Sequence, residues 1–235
     1  MVTFHIFSID FWSQLFMILT ALGAFIFSIK YAYRNKQLRF IPYYVMASIL
    51  QDSAGFYNEY LNKDAGRTEK IIQNISGNMF LLVEFIVLTN FLLNSTISGS
   101  IRRVTRIVSG LFLLCICLYW LGGTASAPNF YNWSPQAFAL ESLLLIIPCL
   151  FYFYELFKLL HPVKLNDHPS FWVVTGILFY NSCSIPLFLL LPFIKNNLPS
   201  YYEIFISLNN ILYGIFFLLL TRASYLARNY TAAYG

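Results

Sequence analysis

The feature that most constrains this chain is its division into apolar blocks of roughly twenty residues separated by short polar breaks. Ile211 to Leu220, for example, holds no charged side chain and no alternation of polar with apolar residues. A helix rising 1.5 Å per residue needs about 20 apolar residues to cross a ~30 Å hydrocarbon slab. Barrel strands would instead alternate over about ten residues. The blocks therefore read as membrane-spanning helices. Composition agrees: 58% of the 235 residues are hydrophobic and 11% charged, against about 25% charged in a soluble domain.

The blocks predict seven spans, at 8–32, 40–62, 71–94, 101–121, 134–159, 170–193 and 200–224. They form an all-α bundle in which residues 1–235 make one transmembrane domain. The breaks carry turn-forming residues: Gly122-Gly123 after helix 4, Pro162 and Pro169 around the fifth connection, and Asn196-Asn197-Leu198-Pro199 before helix 7. Residues before Asp10 lack the basic region of a cleavable signal, so helix 1 is expected to be retained. Basic residues gather on the cytoplasmic side of membrane proteins. With seven spans, eleven of the fifteen Lys and Arg (among them Lys30, Arg39, Arg102, Arg103, Arg106 and Lys158) share one side, and Lys63, Arg67, Lys70 and Lys195 the other. This predicts a plasma-membrane protein with its N-terminus outside and its C-terminus in the cytoplasm. Helix 2 is the weakest span, because it carries Asp52 and Glu59.

Seven spans admit a three-plus-one-plus-three arrangement of parallel repeats. Trp12-Ser13 in helix 1 recurs as Trp133-Ser134 before helix 5, and Asn78 and Thr89 of helix 3 match Asn210 and Thr221 of helix 7. This layout is similar to that of SWEET-type transporters and of microbial rhodopsins. The likeness is one of layout, without shared motifs, and helix 7 has no lysine to hold a retinal.

Ionisable groups at bilayer depth are costly and usually face the bundle interior, so each is a functional candidate. Helix 2 aligns Ser48, Asp52, Gly55 and Glu59 on one face. Helix 3 gathers Asn74, Asn78 and Glu84, helix 5 aligns Glu141 with Pro148 and Glu155, and helix 7 aligns Ser207, Asn210 and Gly214. Asp52, Asn78, Glu84, Glu141, Asn181 and Asn210 are the expected ligand- or ion-binding residues, and of these Asp52, Asn78, Glu141 and Asn210 are expected to line one outward-opening cavity. No Lys, Arg or His shares their depth, so the acids must be protonated, hydrated or paired with a bound cation. The aromatic residues are read as lipid-facing bulk and interfacial belts, Trp120 and Trp133 included. Glu155 is read as solvated, and Cys115, Cys117, Cys149 and Cys183 as buried small hydrophobes.

Enzymatic motifs are absent: no His-Glu-x-x-His, no Gly-x-Ser-x-Gly and no phosphate-binding glycine loop. No cofactor and no metal site is expected, and the net charge of +5 reflects loop placement, not nucleic-acid binding. Connections of at most about a dozen residues leave function to the bundle or to a docked partner. Two readings follow. One is a sensor or receptor-like subunit that takes up a stimulus in an acidic outward cavity and signals to a separate cytoplasmic effector protein. The alternative is a small transporter of a cation or polar solute that uses Asp52 and Glu84.

Overall fold

In a computed structural model, residues 9–33, 35–57, 67–96, 98–124, 127–128, 134–158 and 165–234 are described. They hold α1 (Ile9–Phe27), α2 (Ile41–Phe56), α3 (Arg67–Ser95), α4 (Gly99–Leu121), α5 (Pro135–Lys158), α6 (Pro169–Asn197) and α7 (Tyr202–Tyr234). A π-helical turn, Ser28–Ala32, prolongs α1, and a two-residue antiparallel ladder pairs Gly123–Thr124 with Ala127–Pro128 between α4 and α5. Local chemistry accounts for several boundaries. Pro42 and Pro169 open α2 and α6, where a missing N–H costs nothing. Gly122 leaves the helical region to close α4, and its N–H bonds back to Leu118.

Six of these helices are long and apolar enough to cross a membrane. Their outward faces are apolar: Ile107, Leu114 and Leu118 of α4 are each more than half exposed, a surface suited to lipid and untenable in water. The chain is thus a multi-pass, all-helical membrane protein. The described part of α2 is 16 residues, short of a full span. Its expected continuation to residue 62, with Glu59, lies outside the described residues, as do Trp133 and His161.

The helices pack in a closed circuit: α1 against α7, α7 against α6, α6 against α5, α5 against α3, α3 against α2, and α2 against α1. Helix α4 stands outside it, touching α3 and α5. Ring pairs fix the register of α2 on α1, with Phe11 near Phe56 at one end (5.8 Å) and Tyr33 near Tyr43 at the other (6.4 Å). The two helices are therefore antiparallel. The end holding the start of α1 is called the N-face, and the opposite end the C-face.

The core differs between its two halves. Toward the C-face it is packed with Leu88, Leu92, Val173, Ile177, Phe217 and Leu220, all essentially inaccessible. Buried hydroxyls there, such as Thr96 and Ser224, bond to carbonyls of their own helices. Toward the middle and the N-face lie Asp10, Ser48, Asn78, Glu84, Glu141, Asn181 and Asn210, all buried.

Some local expectations need correction. Trp120 is buried, not in an interfacial belt, because α4 turns it toward the bundle with Phe112 and Ile116. Cys115 and Cys117 of α4 are exposed, and only Cys149 is fully buried. Glu155 is half-buried and accepts a hydrogen bond from the Ser98 N–H at 2.8 Å, capping the start of α4. Helix α7 continues as far as Tyr234, ten residues past the expected end.

Candidate functional site: a carboxylate–tyrosine cluster

Helix α2 presents Tyr44, Ser48 and Asp52 at intervals of four, one face of a helix. That face turns inward, where α3 supplies Glu84 and α7 supplies Tyr213. The Tyr44 hydroxyl donates to Glu84 Oε1 at 2.7 Å and lies 2.9 Å from the Tyr213 hydroxyl. The Ser48 hydroxyl is 3.2 Å from Tyr213 Oη and 3.0 Å from Asp52 Oδ2. Tyr180 of α6 packs its ring on Tyr213, with centroids 4.9 Å apart. Glu141 of α5 is close enough to Glu84 for the two charges to interact, as is Asp52. Five helices thus contribute to one cluster.

Glu84 and Glu141 are buried, whereas Asp52 is half-buried and is the least covered acid of the cluster. Among the described residues, no basic side chain acts on Asp52 or Glu84. Glu141 Oε1 is buried and has no hydrogen-bond partner among the described residues. Buried polar groups left this way are expensive and mark places where a further hydrogen bond would be accepted. From Asp52 a polar track continues toward the N-face along α2 and α3. Ser76 donates to Gln51 Oε1, and the side chain of Gln73 reaches to 3.5 Å of where a Cβ on Gly55 would stand.

Of the six residues expected from the sequence, Asp52, Glu84 and Glu141 come together in this cluster. Asn210 does not join them. Its amide donates to Ser13 Oγ at 3.2 Å and to Asp10 Oδ1 at 3.4 Å, tying α7 to the start of α1. Asn181 lies beside Tyr180 in sequence, but its amide donates to the Ile177 carbonyl of its own helix at 2.8 Å. Asn78 is fully buried on α3, toward the N-face from Glu84. A groove of about 500 Å³ lies elsewhere, between α4 and α5, lined by Phe112, Ile116, Tyr119, Gln136 and Leu140. None of the six residues lines it.

Sequence reasoning missed Tyr44, Tyr180 and Tyr213, which it read as lipid-facing bulk. The four-residue spacing from Tyr44 to Ser48 to Asp52 could have revealed the first. Tyr213 lies three residues after Asn210, on the same side of α7. Outside the spans, His168 sits just before α6, with its N–H bonded to the Leu165 carbonyl at 3.1 Å. Partial burial holds its imidazole below the ordinary histidine value.

Fold and cluster together define a class: a multi-pass helical membrane protein with acids and tyrosines hydrogen-bonded inside its bundle. Compared with known proteins, the chain matches no family model, no curated protein and no solved structure. The functional reading therefore rests on the site.

Proposed function

We propose that this protein is a sensor or receptor-like membrane subunit whose carboxylate–tyrosine cluster takes up a proton, a cation or a polar small molecule from the outer side. A cytoplasmic effector protein then reads the resulting change. In this reading α2 completes a seventh span, the N-face is outside and the C-terminus is in the cytoplasm of the plasma membrane. The observation that carries it is the contrast between the two halves of the core. Acids and their hydrogen-bond partners occupy the middle and the N-face half, and packed Leu, Ile, Val and Phe close the C-face half. A site reached from one side and sealed from the other suits detection better than passage. The basic C-face residues, such as Arg103 and Arg106, offer a surface for an acidic partner.

Two measurements test this. Single cysteines at Ser200 and Asn166, both exposed and at opposite ends of α6, should label from outside and from inside respectively in a variant without Cys115 and Cys117. Labelling of both from one side would overturn the span count. In proteoliposomes, the wild-type protein should carry no net flux of protons, monovalent cations or labelled polar solutes. A flux abolished by Asp52→Asn and Glu84→Gln would identify a transporter instead.

A further inference from the structure

We infer that Asp52 and Glu84 share one proton through a relay of three hydroxyls, so that the proton can pass between α2 and α3 inside the bundle. This deepens the reading above, resting on the cluster as an uptake site, and names the proton as what it takes up.

The number of protons available against the number of hydrogen bonds to be filled sets the protonation of the pair. The chain Asp52–Ser48–Tyr213–Tyr44–Glu84 has four links, at 3.0, 3.2, 2.9 and 2.7 Å. Each link needs one hydrogen between its two oxygens. The three hydroxyls bring three. Ser48 has a single hydrogen and cannot serve both Tyr213 and Asp52. With both acids ionised, one link is a bare oxygen–oxygen contact inside a low-dielectric core. With both protonated, one hydrogen too many must fit. With one proton on the pair, all four links are satisfied and every hydroxyl donates once and accepts once.

The arrangement is satisfied in either direction. When Asp52 carries the proton, Asp52 Oδ2–H donates to Ser48, Ser48 to Tyr213, Tyr213 to Tyr44, and Tyr44 to the Glu84 carboxylate. Four concerted hops reverse it: the Asp52 O–H bond breaks, at each of the three hydroxyl oxygens one O–H bond breaks as another forms, and an O–H bond forms on Glu84 Oε1. Asp52 ends as a carboxylate and Glu84 as a neutral acid, with every hydroxyl turned the other way. No side chain has to move and no other atom is exchanged. A negative charge has shifted from α3 to α2.

The ends of the relay differ in access. Asp52 is half-buried on the polar N-face track, while Glu84 is 6% exposed and sits among Tyr44, Tyr180, Tyr213 and Glu141. These, with Asp52, are the titratable groups that face Glu84 from α2, α5, α6 and α7. Among the described residues neither α1 nor α4 sends one, and no basic group acts on either acid. A chelated metal suits the site less well, because among the described residues no three acidic, His or Cys side chains converge to hold one. Glu141, off the chain and interacting with Glu84, is placed to sense on which acid the proton resides.

Infrared difference spectroscopy on the full-length protein in lipid, titrated between about pH 5 and 8, tests the relay. Wild type should show a protonated-carboxyl C=O band that is altered by both Asp52→Asn and Glu84→Gln, since neither acid owns the proton alone. The decisive variant is Ser48→Ala, which changes no charge and does not touch Glu84. The relay requires it to move the pH midpoint of the Glu84-dependent band, and Tyr213→Phe, which preserves the ring packing, to do the same. If Asp52→Asn moves that band while Ser48→Ala and Tyr213→Phe leave it in place, the acids interact only through space and there is no relay. Absence of any protonated-carboxyl band in wild type would equally overturn it. A lost relay with zero flux in proteoliposomes leaves the sensor reading standing, whereas an intact relay with proton flux overturns the sensor and keeps the relay.

Discussion

The Tyr44 and Tyr213 hydroxyls meet 2.9 Å apart, joining α2 to α7 across the bundle. Tyr44 is 1% and Tyr213 6% exposed. Each ring packs on Phe216 while its hydroxyl enters the polar cluster. These two side chains thus belong to both halves of the core, and their hydroxyls can be removed without removing their volume.

Tyr44→Phe should cost more than Tyr213→Phe. The first deletes the donor to Glu84 as well as the bond to Tyr213. After the second, Tyr44 still donates to Glu84 and Ser48 still bonds Asp52. A bond to a charged group is worth about 1.5–3 kcal/mol and a neutral one about 1 kcal/mol. Thermal unfolding in detergent should rank the variants wild type, Tyr213→Phe, then Tyr44→Phe.

Gly176 and Gly214 both let helices approach α7 closely, but their replacements should differ in cost. A Cβ at Gly176 would lie 2.9 Å from Phe216 Cδ2, and Phe216 is completely buried. A Cβ at Gly214 would overlap the ring of Phe16, which is 37% exposed and free to swing toward lipid. Overpacking a closed core costs about 1–3 kcal/mol. Gly176→Ala should therefore lower the unfolding midpoint clearly and Gly214→Ala only slightly. Equal losses would mean that the ring of Phe16 is held as firmly as that of Phe216.

Glu155 ties the last turns of α5 to the start of α4 through the Ser98 N–H. Loss of a helix cap costs about 1 kcal/mol. Glu155→Ala should raise hydrogen exchange in the first turns of α4, and Glu155→Gln, whose amide oxygen still accepts, should raise it less. Identical exchange in both variants would show that the carboxylate charge, not the acceptor, carries the contact.

His168 should give the folded protein a mild acid sensitivity. Burial lowers its folded value below the ordinary one of about 6.5. As the pH falls, the unfolded chain binds the proton first, so stability present above about pH 6.5 is lost as the pH falls through the folded value. His168→Gln should flatten the melting temperature between about pH 8 and 5. An unchanged acid limb would assign that loss to other groups.

The sequence by itself determined the class of this protein, because the period and length of apolar blocks report directly on a ~30 Å slab. Six long apolar helices stand where those blocks do. It also determined that Asp52, Glu84 and Glu141 turn away from lipid, since each lies on a polar helical face and an ion in hydrocarbon is costly. Which of these faces meet was decided only by the tertiary structure. Asn210 shares a stripe pattern with the acids, yet it bonds to Asp10 and Ser13 because α7 packs along α1 at that level. Helical periodicity gives the direction a residue points from its own axis, not the neighbour it finds there. The tyrosines show the same limit. A Tyr is equally suited to the lipid interface and to a buried hydroxyl relay, and only the packing of α2, α6 and α7 around Glu84 places Tyr44, Tyr180 and Tyr213 inside.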